Sequence, residues 1–527
     1  MNHNFSRSQT IRKPVSITTG GVVAAQHVKA AEIGAAVLED GGDAVDAAVA
    51  VSFAMGVLEP WMSGPAGGGA MMIWREDEQK GYALTYGMKS PKALDPKAFP
   101  LAKDGKAADL FPWKSVVDDK NVQGPLSIAV PGTVAGASTA HQAFGKMSWH
   151  DLLQPAIKEA KAGLHVDWYA ALVIASATRA LSADPDAAAL FLEDGQWPTI
   201  AGWTALSEKR ISLSKFADTL SQLAEAGPQD FYRGDIAAAM VRDVQDKGGF
   251  LSMEDLASYS VNFESPLEIS YRDSRLLATP TLTAGPTLKD TLGQMENMFT
   301  PSGKNPNAEA FQSYAAALKA AYTQRLTTMG DQDAPHSPSC TTHFSIVDRH
   351  GNMVSMTQTL LSLFGSRVIS PSTGLLMNNG IMWFDPEPGH PNSLAPDKKC
   401  LMNVCPVIGE KGNRRFAIGA SGGRKIMPAV MHLSSFMTDY DMPLEEAFHH
   451  PRMDASGGDA IIADENLSPE IIKALSRDNT VATTKRTVFP YAFACPAGVL
   501  REKNLNMGCT EIMSPWGDAV SEKGVNS

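Results

Sequence analysis

Two stretches of alternating polar and apolar residues, separated by a short turn, constrain the fold of this chain more than any other feature. Residues 342–347 alternate, residues 348–352 (DRHGN) have the composition of a turn, and residues 353–359 alternate again. Alternation with a period of two is typical of strands, and the Gly and Asn between them favour a hairpin. A hairpin turn at this point places Thr341 opposite Thr359, and a bulge would shift that pairing by one residue.

The segment before the hairpin has a different composition. Residues 327–340 (TTMGDQDAPHSPSC) are rich in Gly, Asp, Pro and Ser, which predicts an exposed connector. Exposed connectors are the places where chains are usually cut. A cut after Cys340 would make Thr341 the first residue of a new chain, at the start of a strand.

A threonine in that position can act as a nucleophile. Its hydroxyl needs an adjacent base, and a terminal α-amino group, with a pKa of about 7.7–8, is such a base near neutral pH. Thr359 lies where it can hydrogen-bond to the hydroxyl or the amine of Thr341. The local pattern also fits an ordinary strand start, where β-branched residues are common. Cys340 would be the terminal nucleophile instead if the cut fell one residue earlier.

A glycine-rich turn later in the chain offers the second requirement of such chemistry. Residues 419–423 (GASGG) follow a strand-like stretch, 415–418, and precede a helix-like run. Backbone N–H groups of Gly422 and Gly423, at a turn that opens a helix, would suit a developing negative charge. A turn of this kind can also be a simple connection.

The first part of the chain is dense in small residues. Helical spacing predicts helices over 29–38 and 44–57, followed by a glycine-rich loop at 64–69 and a strand at 70–74. Residues 147–326 are predicted to be mainly helical.

Composition excludes several classes of function. The chain has 527 residues and a formal net charge of −11, which argues against sequence-independent binding of nucleic acid. Its N-terminal stretch is polar, and its most apolar run, near residues 44–58, is too short to span a bilayer. A soluble, cytoplasmic protein with no membrane partner is expected. The five cysteines form no C-x-x-C pair, so reduced, buried thiols are expected, with no metal site and no cofactor.

Several ordered blocks of residues resemble one family. They are residues 41–50 (GGDAVDAAVA), 130–136 (VPGTVAG), 230–234 (DFYRG), 341–348 (TTHFSIVD) and the glycine pair 422–423. In these blocks the chain resembles the γ-glutamyltranspeptidase family of N-terminal-nucleophile hydrolases, over about residues 23–455.

This resemblance implies a fold and a processing route. It implies a four-layer αββα sandwich, made as one inactive chain that cuts itself between Cys340 and Thr341. Residues 1–340 and 341–527 would remain together as a heterodimer of cleavage products. Thr341 would attack an amide carbonyl with support from Thr359, and Gly422 and Gly423 would form the oxyanion hole.

The positions that hold a γ-glutamyl group in the family differ in this chain. Gly87 stands where the family has an Arg for the α-carboxylate, and Leu361 replaces an Asn. Residues 378–383 (NNGIMW) replace the N-N-[QE]-M-D-D motif that grips the α-amino group, and Met402 and Asn403 replace paired serines. Because charge-assisted contacts are hard to substitute, their joint loss argues against a γ-glutamyl substrate.

The altered pocket leaves several substrates open. Arg424, directly after the glycine pair, is a candidate partner for a carboxylate close to the scissile carbonyl, as in oxamate, although it could equally be a structural ion-pair residue. The expected activity is therefore an amidohydrolase acting on a small carboxylic acid amide of the oxamate type. The alternatives are a γ-glutamyl hydrolase or transpeptidase acting on glutathione-like compounds, a glutaryl or β-lactam acylase, and an unprocessed pseudoenzyme.

Overall fold

A computed structural model describes residues 12–106, 113–200, 208–329, 339–457, 460–487 and 491–523. The strands, in chain order, are β1 (Ser16–Thr18), β2 (Val22–Ala25), β3 (Gly68–Arg75), β4 (Lys80–Tyr86), β5 (Leu101–Lys106), β6 (Lys114–Val116), β7 (Leu164–His165), β8 (Arg210–Ile211), β9 (Phe263–Glu264), β10 (Leu267–Tyr271), β11 (Ser274–Ala278), β12 (Ser339–Val347), β13 (Met353–Ser362), β14 (Val407–Lys411), β15 (Arg414–Ser421), β16 (Met453–Asp454), β17 (Ala460–Asp464), β18 (Thr480–Thr484), β19 (Cys495–Glu502), β20 (Leu505–Thr510) and β21 (Asp518–Ser521).

The helices lie between groups of these strands along the chain. They are α1 (Val28–Glu39), α2 (Ala44–Leu58), α3 (Thr133–Phe144), α4 (Trp149–Ala162), α5 (Trp168–Leu181), α6 (Pro185–Phe191), α7 (Ser214–Ala226), α8 (Asp230–Arg233), α9 (Asp235–Asp246), α10 (Met253–Ser258), α11 (Gly285–Met298), α12 (Ala308–Met329), α13 (Ile426–Asp439), α14 (Leu444–His449) and α15 (Pro469–Leu475).

Two seven-stranded sheets form the centre of the molecule. The first sheet has the order β1-β20-β19-β15-β14-β11-β10, and the second has the order β21-β2-β12-β13-β3-β4-β9. Buried side chains of both sheets, among them Trp74 and Val499, meet in one apolar layer between them. The outer face of the second sheet packs on the helices of the N-terminal part, and that of the first sheet packs on α11–α15. The predicted αββα sandwich is confirmed.

The predicted hairpin lies in the middle of the second sheet. β12 pairs antiparallel with β13 on one side and with β2 on the other. All ten residues of β13 are buried, because helices cover one face and the other sheet covers the opposite face.

The predicted helices 29–38 and 44–57 are α1 and α2. Asp43 caps the start of α2 and forms a reciprocal capping box with Asp46. Its carboxylate also forms a 2.7 Å ion pair with Arg75. Apolar residues surround α2 on all sides, and all of its residues except Leu58 are buried. The helix therefore points its C-terminal end, at Glu59, into the interior of the protein.

The predicted connector is shorter than its composition suggests. α12 continues to Met329, so residues 327–329 are helical, and residues 330–338 lie outside the described part of the chain. The backbone of Cys340 belongs to β12, whereas its side chain also lies outside the described part. Four other cysteines, Cys400, Cys405, Cys495 and Cys509, are free and buried as predicted. Within the described ranges, no helix has the length and apolarity needed to cross a bilayer.

Candidate active site

Thr341 lies at an irregularity in the central hairpin. Cys340 pairs with Leu361 and Thr342 pairs with Gln358, with a register shift between the two pairs. Two residues of β13, Thr359 and its successor, therefore face Thr341 alone, which is the arrangement of a β-bulge. Thr341 is 3% exposed. The expected pairing of Thr341 with Thr359 thus holds in the bulged form.

The hydroxyl of Thr359 is fixed by the local backbone. Its Oγ1 accepts a 2.8 Å hydrogen bond from the backbone N–H of Leu361, a residue with a φ of 89°. On its other side, Thr359 pairs with Gly68 of β3. A Cβ on Gly67 would collide with the carbonyl oxygen of Thr359, so the glycine run serves the close approach of β3 to this strand end.

The glycine pair forms the turn that the sequence predicts. β15 ends at Ser421, Gly422 and Gly423 have φ values of 129° and 58°, and a short 3-10 turn (Gly423–Lys425) leads into α13. This turn lies against β12, with Cα atoms within 8 Å. The fold therefore brings the glycine turn next to β12, the strand that contains Thr341. Backbone N–H groups in such a turn can stabilise an oxyanion.

The side chain just before the glycine pair is held by a buried amide. Gln26, which follows β2, donates one hydrogen bond of 2.5 Å to Oγ of Ser421 and another of 2.7 Å to the carbonyl of Cys495. This contact ties the glycine turn to the second sheet and so fixes its position relative to β12.

A buried carboxyl group lies beside β12, and sequence reasoning missed it. Glu59 accepts a 3.4 Å hydrogen bond from Oγ1 of Thr342, and among the described residues no cation lies within 4.0 Å of it. Burial raises the pKa of this carboxyl to about 8. Glu59 is therefore neutral at pH 7. The apolar composition of α2 was the sequence signal that could have revealed the burial of Glu59, because a helix without a polar face is buried to its end.

We expect Glu59 to make the stability of the protein depend on pH. In the folded chain this carboxyl has a pKa of about 8 and keeps its proton at neutral pH. In the unfolded chain its pKa is 4.5, so the proton is released above pH 4.5. The stabilisation is fully present below pH 4.5 and is lost as the pH rises through 8. In urea unfolding at pH 5, 7 and 8.5, the free energy of unfolding of the parent should fall by about 4 kcal/mol more than that of Glu59→Gln across this range.

The control for this experiment is the exposed glutamate Glu470, changed to Gln. That variant should follow the parent at every pH, because the side chain of Glu470 stays in contact with solvent in the folded chain. Equal slopes in the parent and in Glu59→Gln would contradict a neutral Glu59.

The positions that would grip a γ-glutamyl group form one apolar cluster. Leu361, Met382, Trp383 and Met402 are all buried and pack together. Met402 covers Gly87, so that a Cβ on residue 87 would lie 2.9 Å from its Cε atom. The end of the Met402 side chain thus lies where a side chain at residue 87 would begin.

The two asparagines kept from the family motif have structural partners. Nδ2 of Asn378 donates to the carbonyls of Ala66 and Ala129, both at 2.8 Å. Oδ1 of Asn379 accepts from the backbone N–H of Ser362 at 3.0 Å. These hydrogen bonds hold the surrounding loops in place. Residues 378–383 themselves contain no carboxylate that could bind an ammonium group.

Arg424 directly follows the glycine pair, and its side chain is half-buried. Its guanidinium packs against the backbone of Gly457, and its carbonyl accepts a hydrogen bond from the hydroxyl of Tyr322. The next residue, Lys425, donates to the carbonyls of Tyr491 and Ala492 at 3.2 and 2.8 Å.

A cavity of about 270 Å³ opens on the other side of Gly87. Its walls include Thr281, Met402, Lys89 and Lys399. Lys89, a second cation close to the missing arginine, forms a 2.5 Å ion pair with Asp397. Gly87 and Met402 therefore touch each other and also line this cavity.

Known proteins are similar to this chain over most of its length. The family described as Gamma-glutamyltranspeptidase matches residues 30–340 and 334–494. The chain is 30% identical over 514 residues to the Acylase ACY 1 proenzyme of Pseudomonas sp. (strain V22), covering 90% of each chain. It is 28% identical over 507 residues to the Glutathione hydrolase proenzyme of Escherichia coli (strain K12), covering 86% of this chain and 84% of that protein.

A solved structure supports the fold independently. The crystal structure of cephalosporin acylase from Bacillus halodurans superposes with a TM-score of 0.83 at 24% identity, covering 99% of this chain and 100% of that one. From the family match and the similarity to these relatives, the chain belongs to the γ-glutamyltranspeptidase family of N-terminal-nucleophile hydrolases.

Proposed function

We propose that the chain cuts itself between Cys340 and Thr341 and then hydrolyses the amide of a small carboxylic acid, of which oxamate is the simplest. The products would be residues 1–340 and 341–527. Both sheets contain strands from each product: β2 and β3 flank the β12–β13 hairpin, and β11 pairs with β14. The two products would therefore stay together as a heterodimer.

The proposed chemistry uses one hydroxyl twice. In self-cleavage, Oγ of Thr341 attacks the carbonyl carbon of Cys340, the C–N bond breaks, and the leaving nitrogen takes the hydroxyl proton. Water then hydrolyses the ester and leaves a free α-amino group on Thr341. This amine is the base for the second use, in which the hydroxyl attacks the substrate amide.

The substrate step balances in the same way. The amine accepts the hydroxyl proton as the new ester bond forms, and passes it to the departing ammonia or amine. The N–H groups of Gly422 and Gly423 stabilise the oxyanion. Water then hydrolyses the acyl-threonine ester, which releases the free acid and restores Thr341.

One observation supports the choice of substrate above the others: the apolar cluster of Leu361, Trp383 and Met402 occupies the place of the polar γ-glutamyl clamp. Burying the ammonium and carboxylate of an amino acid against such a surface would be costly. A small acid avoids this cost, since it needs one cation close to the scissile carbonyl. Arg424, adjacent to the glycine turn, is our candidate for that cation.

The deciding experiment compares two substrates on the processed protein. Ammonia release from oxamate should exceed amine release from a γ-glutamyl anilide by at least about 100-fold in kcat/KM, because unpaired buried charges penalise the wrong substrate strongly. Thr341→Ala protein gives the background for both reactions. Turnover of the anilide alone would overturn the proposed specificity.

A second candidate is an acylase that acts on a larger acyl group. The cavity of about 270 Å³ beside Gly87 favours it, and a relative at 30% identity is named Acylase ACY 1 proenzyme. A glutaryl anilide belongs in the same assay as a third substrate. Faster release from this compound than from oxamate would select the acylase.

A further inference from the structure

Glu59 is a buried acid close to the proposed nucleophile, and the proposed chemistry does not use it. It follows the last residue of α2 and is 4% exposed. Oε2 of Glu59 accepts a 3.4 Å hydrogen bond from Oγ1 of Thr342, which directly follows Thr341 in the chain. Among the described residues, this hydroxyl is the one hydrogen-bond partner of the carboxyl group. A carboxyl group removed from water in this way needs either a proton or a nearby cation.

Glu59 also lies close to the segment that packs against the glycine turn. Its charge acts on the phenol of Tyr491 and on the thiol of Cys495. Cys495 pairs with Ser421, the residue directly before the glycine pair. The carboxyl group, the end of β12 and the proposed oxyanion turn therefore belong to one buried region of the protein.

No cation balances this carboxyl group in the described ranges. Within them, no Lys, Arg or His nitrogen lies within 4.0 Å of Glu59. Lys425 is a partly buried cation of the same region, but its Nζ donates to the carbonyls of Tyr491 and Ala492. Tyr491 and Cys495 stay neutral near pH 7, because burial raises the pKa of both groups. In the uncut chain Glu59 therefore keeps its proton, and burial raises its pKa to about 8.

Cleavage between Cys340 and Thr341 would add a cation to this region. The backbone nitrogen of Thr341 would become an α-amino group, whose ordinary pKa is about 7.7–8. Consecutive Cα atoms are about 3.8 Å apart, and Thr342 touches Glu59, so that nitrogen lies at most about 12 Å from the carboxyl group. At an effective dielectric constant of about 20, two charges at this separation change each other's protonation equilibrium about tenfold. A shorter separation gives a larger effect.

We propose that Glu59 is the counter-ion of the α-amino group that self-cleavage leaves on Thr341, and that it sets the pH at which this amine can act as the base. The inference rests on the proposed function, because the amine exists only after the cut. Glu59 acts through the amine and is therefore a positioning residue.

The two groups then exchange protons as a coupled pair. When the carboxyl group passes its proton to the amine, an ammonium and a carboxylate form close to each other, and each stabilises the charge of the other. The amine can accept the proton of the Thr341 hydroxyl only after it has lost its own extra proton. A negative Glu59 moves that loss to a higher pH.

The first test is the pH dependence of the processed protein. In Glu59→Gln the amine has no negative neighbour, so it loses its proton at a lower pH. The midpoint of the acidic limb of kcat/KM should move down by at least about 0.5 pH unit, while the plateau changes by less than about threefold. A purely structural role would lower the plateau and leave the midpoint in place, and an unmoved midpoint would overturn the proposal. Glu470→Gln, at an exposed position, is the matched control and should keep the midpoint of the parent.

Infrared spectroscopy tests the charge of Glu59 without any substrate. A protonated carboxyl group has a carbonyl band that a carboxylate lacks, and subtracting the spectrum of the matching Glu59→Gln protein isolates it. In Thr341→Ala, which forms no amine at Thr341, the band should persist to about pH 8. In the processed parent and in processed Thr341→Ser it should disappear about 0.5–1 pH unit lower.

The infrared result also separates this inference from the proposed activity. A cut protein that does not turn over oxamate still has the amine, so a lower midpoint of the band in that protein would support the pair. A cut protein with the same midpoint as Thr341→Ala would overturn the pair alone. A parent in which mass spectrometry finds no cut before Thr341 would overturn both proposals.

Discussion

Replacing Thr341 with Ala is expected to leave one intact chain of 56.3 kDa with no amidohydrolase activity. Alanine keeps the backbone and removes the oxygen that would attack the carbonyl of Cys340. Without the cut, no terminal amine forms, so both the nucleophile and its base are lost. The loss of kcat should be on the order of 10³-fold or greater, as when a covalent nucleophile is removed from other hydrolases. Denaturing electrophoresis and an activity assay on the same sample measure the two effects.

Thr341→Ser is the matched control for this experiment. Serine keeps a hydroxyl and, after cleavage, an amine, so the variant should cut itself and retain measurable turnover. Mass spectrometry of the shorter product fixes the new N-terminus. A product that starts at Cys340 would identify that residue as the nucleophile. Continued cleavage or turnover in the alanine variant would place the nucleophile elsewhere in the chain.

Gly422→Ala should lower kcat of the processed protein by about 10²–10³-fold, the cost of losing an oxyanion donor. The φ of 129° at this residue is one that an L-residue rarely adopts. The added Cβ would also lie 2.9 Å from Cα of Ala494. Because this clash is with a backbone atom of the buried residue Ala494, the glycine turn itself must move to relieve it. Its N–H groups then no longer point at the developing negative charge.

Gly412→Ala separates this effect from the general cost of such a backbone. Gly412 joins β14 to β15 at the opposite end of β15, has a φ of 57°, and its Cβ would meet nothing within 4 Å. Its substitution should cost about 1 kcal/mol of stability and leave kcat unchanged. The assay compares kcat and thermal midpoints of both variants after cleavage. If Gly422→Ala loses no more activity than Gly412→Ala, the glycine turn does not form the oxyanion hole.

Local patterns predicted much of the fold and of the proposed site. The alternation of polar and apolar residues predicted the β12–β13 hairpin, and the glycine pair after β15 predicted the turn beside it. The bulge that brings two residues opposite Thr341 was foreseen only as one option, because alternation continues on both strands and does not mark where the register shifts. The extent of α12 was underestimated, since residues 327–329 have turn-forming neighbours but continue an amphipathic helix.

Glu59 and Arg325 could not be predicted as they lie in the structure. A single acid before a proline is typical of the end of a surface helix, and an arginine in a helix is usually exposed to solvent. Their burial comes from contacts distant in sequence: Glu59 meets Thr342, and Arg325 meets residues 402–403. The charge state of such groups depends on the whole tertiary environment, which no local spacing encodes.

The contact between Met402 and Gly87 restricts the order in which specificity could change during evolution. An arginine introduced at residue 87 alone would bring its Cβ to 2.9 Å from Cε of Met402, so the methionine side chain would have to move, with the cavity that both residues line as the available space. A smaller residue at 402 would remove this contact, so a side chain at 87 should be tolerated better after that change than before it. The two positions are therefore expected to be strongly epistatic, so that the same substitution is harmful in one background and acceptable in the other.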